Sequence, residues 1–293
     1  MGGTSIKYGL VTATGQILEK NSVATAGDKD QIISDLTEIV NNYQANSALV
    51  GGIGVSMPGI IQQDGFATTA GAIRCLYGVN LKNELEERTG LPTTVENDAN
   101  SAAAAEHWAG AAKDAHNYLS IVLGTGVGGA LVINDQIYRG AHARSGEFGW
   151  MLLDDQHDEL EQGSGNFQSA TVTGLLRVYN IKAQQTLTDA REIFHRANAG
   201  ENAAQLVLNN YFRKLAQLIL NLVVSFDPDK VIVGGGISVN PDFQNGLAAA
   251  YSELQQEHAS VRNIELPPIV PAKLGNDAGL IGAVYRCLQE NDK

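Results

Sequence analysis

Only two of the 293 residues are cysteine, Cys75 and Cys287, far apart and without C-x-x-C spacing. That excludes a disulfide framework and a cysteine zinc site, and it fits a reduced, cytoplasmic setting. Long apolar runs are missing too. None approaches the roughly 20 residues needed to cross a bilayer, and no charged-then-apolar signal segment opens the chain. Basic residues are scarce: 20 Lys and Arg stand against 32 Asp and Glu, a net charge of −12, with no Lys/Arg run. A nucleic-acid partner is thereby excluded, because binding a phosphate backbone rests on clustered cations. A mononucleotide is not excluded, since main-chain N–H groups and a metal ion can hold it.

What is present is glycine, 32 residues, within a chain that is 44% hydrophobic and 18% charged. The length suits two α/β domains that share a cleft. The stretch Leu119 to Gly129 organises the rest. Apolar Ile121, Val122 and Leu123 form a buried strand, Gly124-Thr125-Gly126-Val127-Gly128-Gly129 turns, and Ala130 to Ile133 leaves as a second strand. Glycines let N–H groups converge on a small volume with no Cβ in the way, and Thr125 adds a hydroxyl. Asn134-Asp135 then reads as another hairpin rather than the helix of a dinucleotide fold. A glycine-rich turn without a ligand remains the alternative for this stretch.

Two further glycine turns lie next to apolar strands, Gly2-Gly3-Thr4 and Gly234-Gly235-Gly236. Three such turns in one acidic chain imply a polyphosphate held by main-chain donors, with a divalent cation neutralising it. Gly-Gly-Thr, Leu10-Val11 and Gln16-Ile17 also echo Gly-Thr-Gly, Leu131-Val132 and Gln136-Ile137, which suggests two domains of related topology. Elsewhere the pattern predicts a helix over 28–43 and a strand over 49–55 that ends in Ser56-Met57-Pro58-Gly59. It predicts a short helix from 80 or 81 to 88, a strand over 93–95, and an alanine-rich helix from 101 to 108. Helices over 166–180, 187–199 and 201–226 follow, then a strand from 230, a strand over 269–272 and a helix over 278–289.

Glu96-Asn97-Asp98-Ala99-Asn100 sits between a strand and a helix, where α/β proteins place ligands. Asp98 is the candidate general base for phosphoryl transfer to an alcohol, which needs a carboxylate within reach of the hydroxyl. Capping of the following helix is the competing role. Glu96, Asn97 and Glu147 read as a hydroxyl-binding lining, against a solvated loop carboxylate for Glu147. His107, His142 and His157 have no partners at metal spacing and are read as surface or packing residues.

The motifs Gly2-Gly3-Thr4-Ser5-Ile6-Lys7, Ser56-Met57-Pro58-Gly59, Glu96 to Asn100, Gly124 to Gly129, Ser145-Gly146-Glu147-Phe148-Gly149 and Val233 to Ile237 occur in this order over the full length. In this the chain resembles the ROK family of sugar kinases and sugar-responsive repressors, of the actin/hexokinase-like (ribonuclease H-like) fold. The resemblance implies ATP-dependent phosphorylation of a hexose or amino-hexose hydroxyl, of the kind performed on glucose, a β-glucoside or N-acetylmannosamine. It implies Asp98 as base, with Ser56, Pro58, Gly59, Asn97, Asp98, Glu147 and Trp150 around the sugar. Gly2, Gly3, Thr4, Lys7, Gly124, Thr125, Gly126, Gly128, Gly234, Gly235 and Gly236 fall to ATP, with Mg2+ arriving through the nucleotide. The expected division is 1–117 plus 279–293 against 118–278, in a cytoplasmic homodimer.

Two departures shape the expectations. Many family members follow the Glu147 motif with a histidine and a cysteine zinc site. Here Trp150 stands at the histidine's place and no cysteine follows as far as Gly165, so a zinc-free protein is expected, with Trp150 offering a stacking face to the sugar. The family motif Asp-x-Gly-Gly-Thr also begins here at its x, Met1. Either the start is truncated or misassigned, or the protein is impaired; a chain beginning at Met1 is expected to bind sugar yet phosphorylate it poorly. A non-catalytic sugar-binding protein or sugar-sensing regulator is the alternative. Direct DNA binding is not expected, because the family's repressors carry a winged-helix segment ahead of the phosphate motif.

Overall fold

The computed structural model describes residues 1–46 and 49–291. They form two compact units, one of Met1–Lys113, Arg139–Ser145 and Asn276–Lys293, the other of Asp114–Tyr138 and Gly146–Gly275.

The first unit opens with β1 (Ser5–Val11) and β2 (Ile17–Ala24), an antiparallel hairpin in which Lys7 stands opposite Ser22. Next come α1 (Lys29–Asn46), β3 (Ile53–Met57), the short pair β4 (Phe66–Ala67) and β5 (Val79–Asn80), α2 (Leu81–Thr89), β6 (Thr93–Asn97) and α3 (Asp98–Ala109). β3 and β6 run parallel, with Ser56 opposite Glu96 and Met57 opposite Asn97. The β1–β2 and β3–β6 pairs are separate two-stranded sheets. Their core gathers Ile6, Ile32, Ile33, Met57, Leu76, Leu81, Leu85 and Val95. The stripe read over 28–43 is therefore helical, and α3 starts three residues earlier than its alanine run suggests.

The second unit is built on one five-stranded sheet, in the order β11-β10-β7-β8-β9. Its strands are β7 (Tyr118–Leu123), β8 (Val127–Ile133), β9 (Gln136–Tyr138), β10 (Lys230–Gly235) and β11 (Ile269–Pro271). β7, β8 and β9 form the antiparallel run read from the sequence, with Asn134 and Asp135 both at positive φ in the tight turn. β10 lies parallel between β7 and β11, so Gly235 stands opposite Leu123. Helices α4 (Gly165–Ser169), α5 (Arg177–Ala183), α6 (Arg191–Asn198), α7 (Asn202–Phe226) and α8 (Pro241–Glu257) complete the unit. A π-helical turn over Thr171–Leu176 runs directly into α5. The core joins Leu119, Ile121, Val231 and Val233 of the sheet to Leu215, Leu218, Ile219 and Leu222 of α7 and to Phe243. This accounts for the apolar stripe of the long helix.

The chain returns to the first unit in α9 (Ala278–Asn291), which packs against β3 and α3. A Cβ on Gly282 would lie 1.7 Å from the Ser101 carbonyl oxygen, so the small residues of α9 are there to let two helices approach closely.

Candidate active site

In the first unit the site grows from the carboxyl ends of β3 and β6, neighbouring parallel strands whose last residues are Met57 and Asn97. Ligands of α/β proteins gather at such strand ends. After β3 the chain turns at Gly59, whose φ of +104° favours glycine. The Gly59 carbonyl oxygen accepts a hydrogen bond from Asn97 Nδ2 at 2.9 Å, tying the two strand ends together. The Gly2–Thr4 segment lies at the same end, the Met1 nitrogen donating to the Ser56 carbonyl oxygen.

The helix cap is Asn97, not Asp98. Asn97 Oδ1 accepts from the amides of Ala99 at 2.9 Å and Asn100 at 3.0 Å, satisfying two first-turn donors. Asp98 follows in the first turn, exposed, with Oδ1 also 2.9 Å from the Ala99 amide. Its carboxyl keeps an accessible face, yet the protein packed round it withholds water at longer range. That desolvation raises its pKa above the ordinary aspartate value, opposed by the Ala99 amide and the terminal amine. A carboxylate relieved of capping and raised in pKa suits proton acceptance.

Glu96 departs from the sequence reading. It is 0% exposed and lines nothing. Its Oε1 accepts from Arg139 at 2.7 Å, from Asn100 Nδ2 at 3.0 Å and from the Asn97 amide at 2.9 Å. Its Oε2 pairs with Arg139 and, at 3.3 Å, with Arg286 of α9. Burial alone would raise the Glu96 pKa; the Arg139 hydrogen bond and charge, with Asn100 and Arg286, outweigh it and hold the carboxyl below its usual value. Glu96 is thus the anchor behind Asn97-Asp98. Arg139, which sequence reasoning passed over, is its partner.

In the second unit the glycine turns after β7 and β10 emerge side by side, since Leu123 and Gly235 are paired. Among the described residues the amides of Thr125 and Gly126 donate to no protein group. A Cβ built on Gly124 or Gly236 meets nothing within 4 Å. Open space beside uncommitted amides is what a polyphosphate requires, so Gly124, Thr125, Gly126 and Gly236 fit a nucleotide tail. Gly234 and Gly235 serve packing, Gly235 lying against the Leu123 carbonyl, and Gly128 sits within β8 opposite Val122. In the first unit Gly3 abuts Ala72 and Lys7 is exposed on β1.

The Glu147 loop is pressed onto the same hairpin. Gly146, at φ +98°, would place a Cβ 2.2 Å from the Gly129 carbonyl oxygen, and Gly129 in turn faces the Phe148 ring. Asn166 joins the two: its Oδ1 accepts from the Val127 amide at 2.8 Å and fills the space beside Gly126 and Gly149. Sequence reasoning missed Asn166. Its only signal is an amide flanked by glycines, in Gly163-Ser164-Gly165-Asn166. Trp150 is 54% exposed, a free indole face at the end of this loop.

Beyond Trp150, the segment to Gly165 is held without cysteine. Asp154 pairs with Lys214 of α7 at 2.5 Å and with His157 at 2.8 Å, and the Leu153 amide donates to the Gly163 carbonyl at 2.8 Å. His157 therefore has a partner, but one that makes a loop staple. Among the described residues no three His, Cys, Asp or Glu side chains converge as a metal site, and no helix is long and apolar enough to cross a membrane.

Comparison with known proteins places this geometry. The chain is 35% identical to a β-glucoside kinase of Listeria innocua over 298 aligned positions, covering 100% of this chain and 97% of that protein. A ROK family protein from Streptococcus pneumoniae, solved with sucrose, superposes with a TM-score of 0.90 at 31% identity, over 100% of this chain and 97% of the other. A ROK family glucokinase from Streptomyces griseus, solved with glucose and AMPPNP, gives 0.82 at 26% identity, over 99% and 97%. These neighbours share the actin/hexokinase-like fold. The ROK family model itself matches residues 1–290, and this chain belongs to the ROK family.

Proposed function

We propose that this protein phosphorylates a sugar hydroxyl at the expense of ATP, with Asp98 as the base. The observation that carries the reading is the division of labour at the start of α3. Asn97 caps the helix, and the adjacent Asp98 stays exposed with a raised pKa. Kinases among the relatives and sugars in the neighbouring structures support the same reading.

In this reading Asp98 takes the proton of the acceptor hydroxyl as the new O–P bond forms. Asn97 has one amide hydrogen left after Gly59, available to a sugar oxygen. Glu147 accepts from a second sugar hydroxyl, and the Trp150 indole offers an apolar face to the ring. ATP, bound with a divalent cation on its phosphates, supplies the phosphoryl group. The Thr125 and Gly126 amides hold the anionic oxygens in place, and that positioning carries most of the rate enhancement. The sugar is a β-glucoside or a free hexose, by analogy with what the relatives are named for. A cytoplasmic setting accords with free Cys75 and Cys287.

The test is ADP release over a panel of hexoses, N-acetylhexosamines and β-glucosides, run beside calorimetric sugar binding. One sugar should support turnover, and Asp98→Asn should still bind it while losing about 10²- to 10⁴-fold in kcat. Near wild-type turnover by Asp98→Asn would remove Asp98 from the role. Tight sugar binding with no ADP release from any sugar would instead favour a sensor.

A further inference from the structure

The helix that begins at Thr171 spends its free amides unusually. First-turn N–H groups of a helix lack internal partners and are ordinarily met by a side chain, water or a bound anion. Here they are met by carbonyls of the glycine turn. The Thr171 and Val172 amides each donate to the Gly124 oxygen at 3.1 Å, and the Thr173 amide donates to the Thr125 oxygen at 3.3 Å. The Thr173 hydroxyl lies 2.8 Å from the same Thr125 oxygen and 2.6 Å from the Asn166 carbonyl oxygen, its single proton shared between the two acceptors. The Thr171 hydroxyl reaches the Leu123 oxygen at 3.4 Å.

The direction of these bonds matters. A trans peptide is planar, so the C=O of one residue and the N–H of the next point opposite ways. All peptides here are trans. Drawing the Gly124 and Thr125 oxygens toward the helix therefore turns the Thr125 and Gly126 N–H groups away from it. Those are the two amides of this turn that, among the described residues, have no protein acceptor, beside the open position at Gly124. Asn166 secures the following residue, Val127, from the other side.

We propose that the start of this helix, through the Thr173 hydroxyl in particular, is a positioning element that aims the Thr125 and Gly126 amides at the nucleotide's phosphates. The inference rests on the reading that the 124–129 turn takes ATP. Thr173 touches no substrate; it acts through the Thr125–Gly126 peptide plane. Without the hydroxyl the peptide is held by one long bond and rocks, and the phosphate must pay for ordering it.

The test measures AMPPNP–magnesium affinity by calorimetry, with sugar affinity, KM for ATP, KM for sugar and kcat alongside. Thr173→Val keeps the shape and the main-chain bond and loses only the hydroxyl. It should weaken AMPPNP binding about tenfold, the size of one lost hydrogen bond. KM for ATP should rise in parallel, with sugar affinity unchanged and Thr173→Ser close to wild type. Amide hydrogen exchange gives a reading independent of turnover. AMPPNP should protect Thr125 and Gly126 in the wild type, and protect them less in Thr173→Val. Gly124→Val separates the levels, because its Cβ enters the open position without meeting protein. If Gly124→Val leaves AMPPNP affinity intact, the turn is not the nucleotide site and both readings fall. If Gly124→Val blocks AMPPNP while Thr173→Val binds it normally, the turn stands and the positioning role is wrong. Equal loss of sugar and nucleotide binding, unrescued by serine, would make Thr173 a general structural residue and overturn the proposal.

Discussion

Two helix starts bear on the candidate chemistry, and they are finished differently. α3 is capped by a side chain, Asn97, whose oxygen satisfies the Ala99 and Asn100 amides. The helix beginning at Thr171 is capped by main-chain oxygens of a turn nearly fifty residues earlier, at Gly124 and Thr125. The first arrangement depends on which residue stands at 97 and leaves its neighbour Asp98 free for chemistry. The second depends on where backbone lies and leaves free amides instead of a free carboxylate. Under the proposed function a hydroxyl-bearing substrate needs a titratable group and a phosphate needs fixed dipoles, and the two helix starts differ in just this respect.

The sharpest way to break the side-chain arrangement is to remove what stands behind it. Arg139→Met leaves the buried Glu96 carboxylate with Arg286 as its one cationic partner among the described residues, and should lower unfolding stability by about 3 kcal/mol in denaturant titrations, the usual cost of breaking a buried pair. No loss would mean that Glu96 takes up a proton or finds water at little cost. Asn97→Ala should cost about 1 kcal/mol as a lost cap, with a further decline in turnover as the Gly59 tie goes. Asn97→Asp keeps the capping oxygen that takes both amides, so it should recover most of the stability but not the turnover. If it recovers both, Asn97 is only a cap. On the main-chain side, Asn166→Ala should raise KM for ATP and for sugar together, because one amide supports both the phosphate turn and the Glu147 loop. A change confined to one substrate would separate the two loops.

The smallest effects are those of pH, and the two carboxylates should differ in sign. Glu96 has a lowered pKa in the folded state, so its stabilisation is present above its ordinary value of 4.5 and drains away as pH falls from there through the lower folded-state value. Thermal melts from pH 7 to pH 3 should show that acid loss, and show less of it in Arg139→Met. Asp98 has a raised pKa, so its ionisation opposes folding: its contribution is most favourable at low pH and is lost as pH rises through the folded value. Asp98→Asn should therefore melt no lower than wild type at pH 7, while the acid limb of kcat in the wild type lies above the usual aspartate value. A clear drop in melting temperature for Asp98→Asn would return Asp98 to a structural role.

The same contrast explains what could be read from residues alone. Asn97-Asp98, the glycine turns and the antiparallel run from Tyr118 to Tyr138 were legible because each is a local signal, a side-chain type or a turn residue at a strand end. The start of α3 was placed at the alanine run because the polar residues Asp98 to Asn100 read as a loop until the Asn97 side chain is seen to cap them. Glu96 was misread as lining because nothing nearby in sequence announces Arg139, 43 positions on, or Arg286. That ion pair is also why the 139–145 loop groups with the first unit, although the residues on either side of it belong to the second. The break between α4 and the Thr171 helix was invisible because its partners are carbonyls, and every residue has one. α8 went unread although Asn240-Pro241 is a fair helix start, with Asn240 Oδ1 taking the Asp242 amide at 2.8 Å.

The uncommitted amides at Thr125 and Gly126 belong to a chain that carries a net charge of −12. Amide dipoles act at contact distance and draw in nothing from afar, whereas the chain's excess negative charge repels an anion, an effect that salt screens over a Debye length of about 8 Å at physiological ionic strength. Under the proposed function, capture of ATP is then uphill until the last few ångströms. Adding salt should speed nucleotide association by screening that repulsion and change dissociation little, the reverse of what a lysine-rich phosphate clamp would show. Such an enzyme would bind its nucleotide best where salt already masks the free charge on both partners.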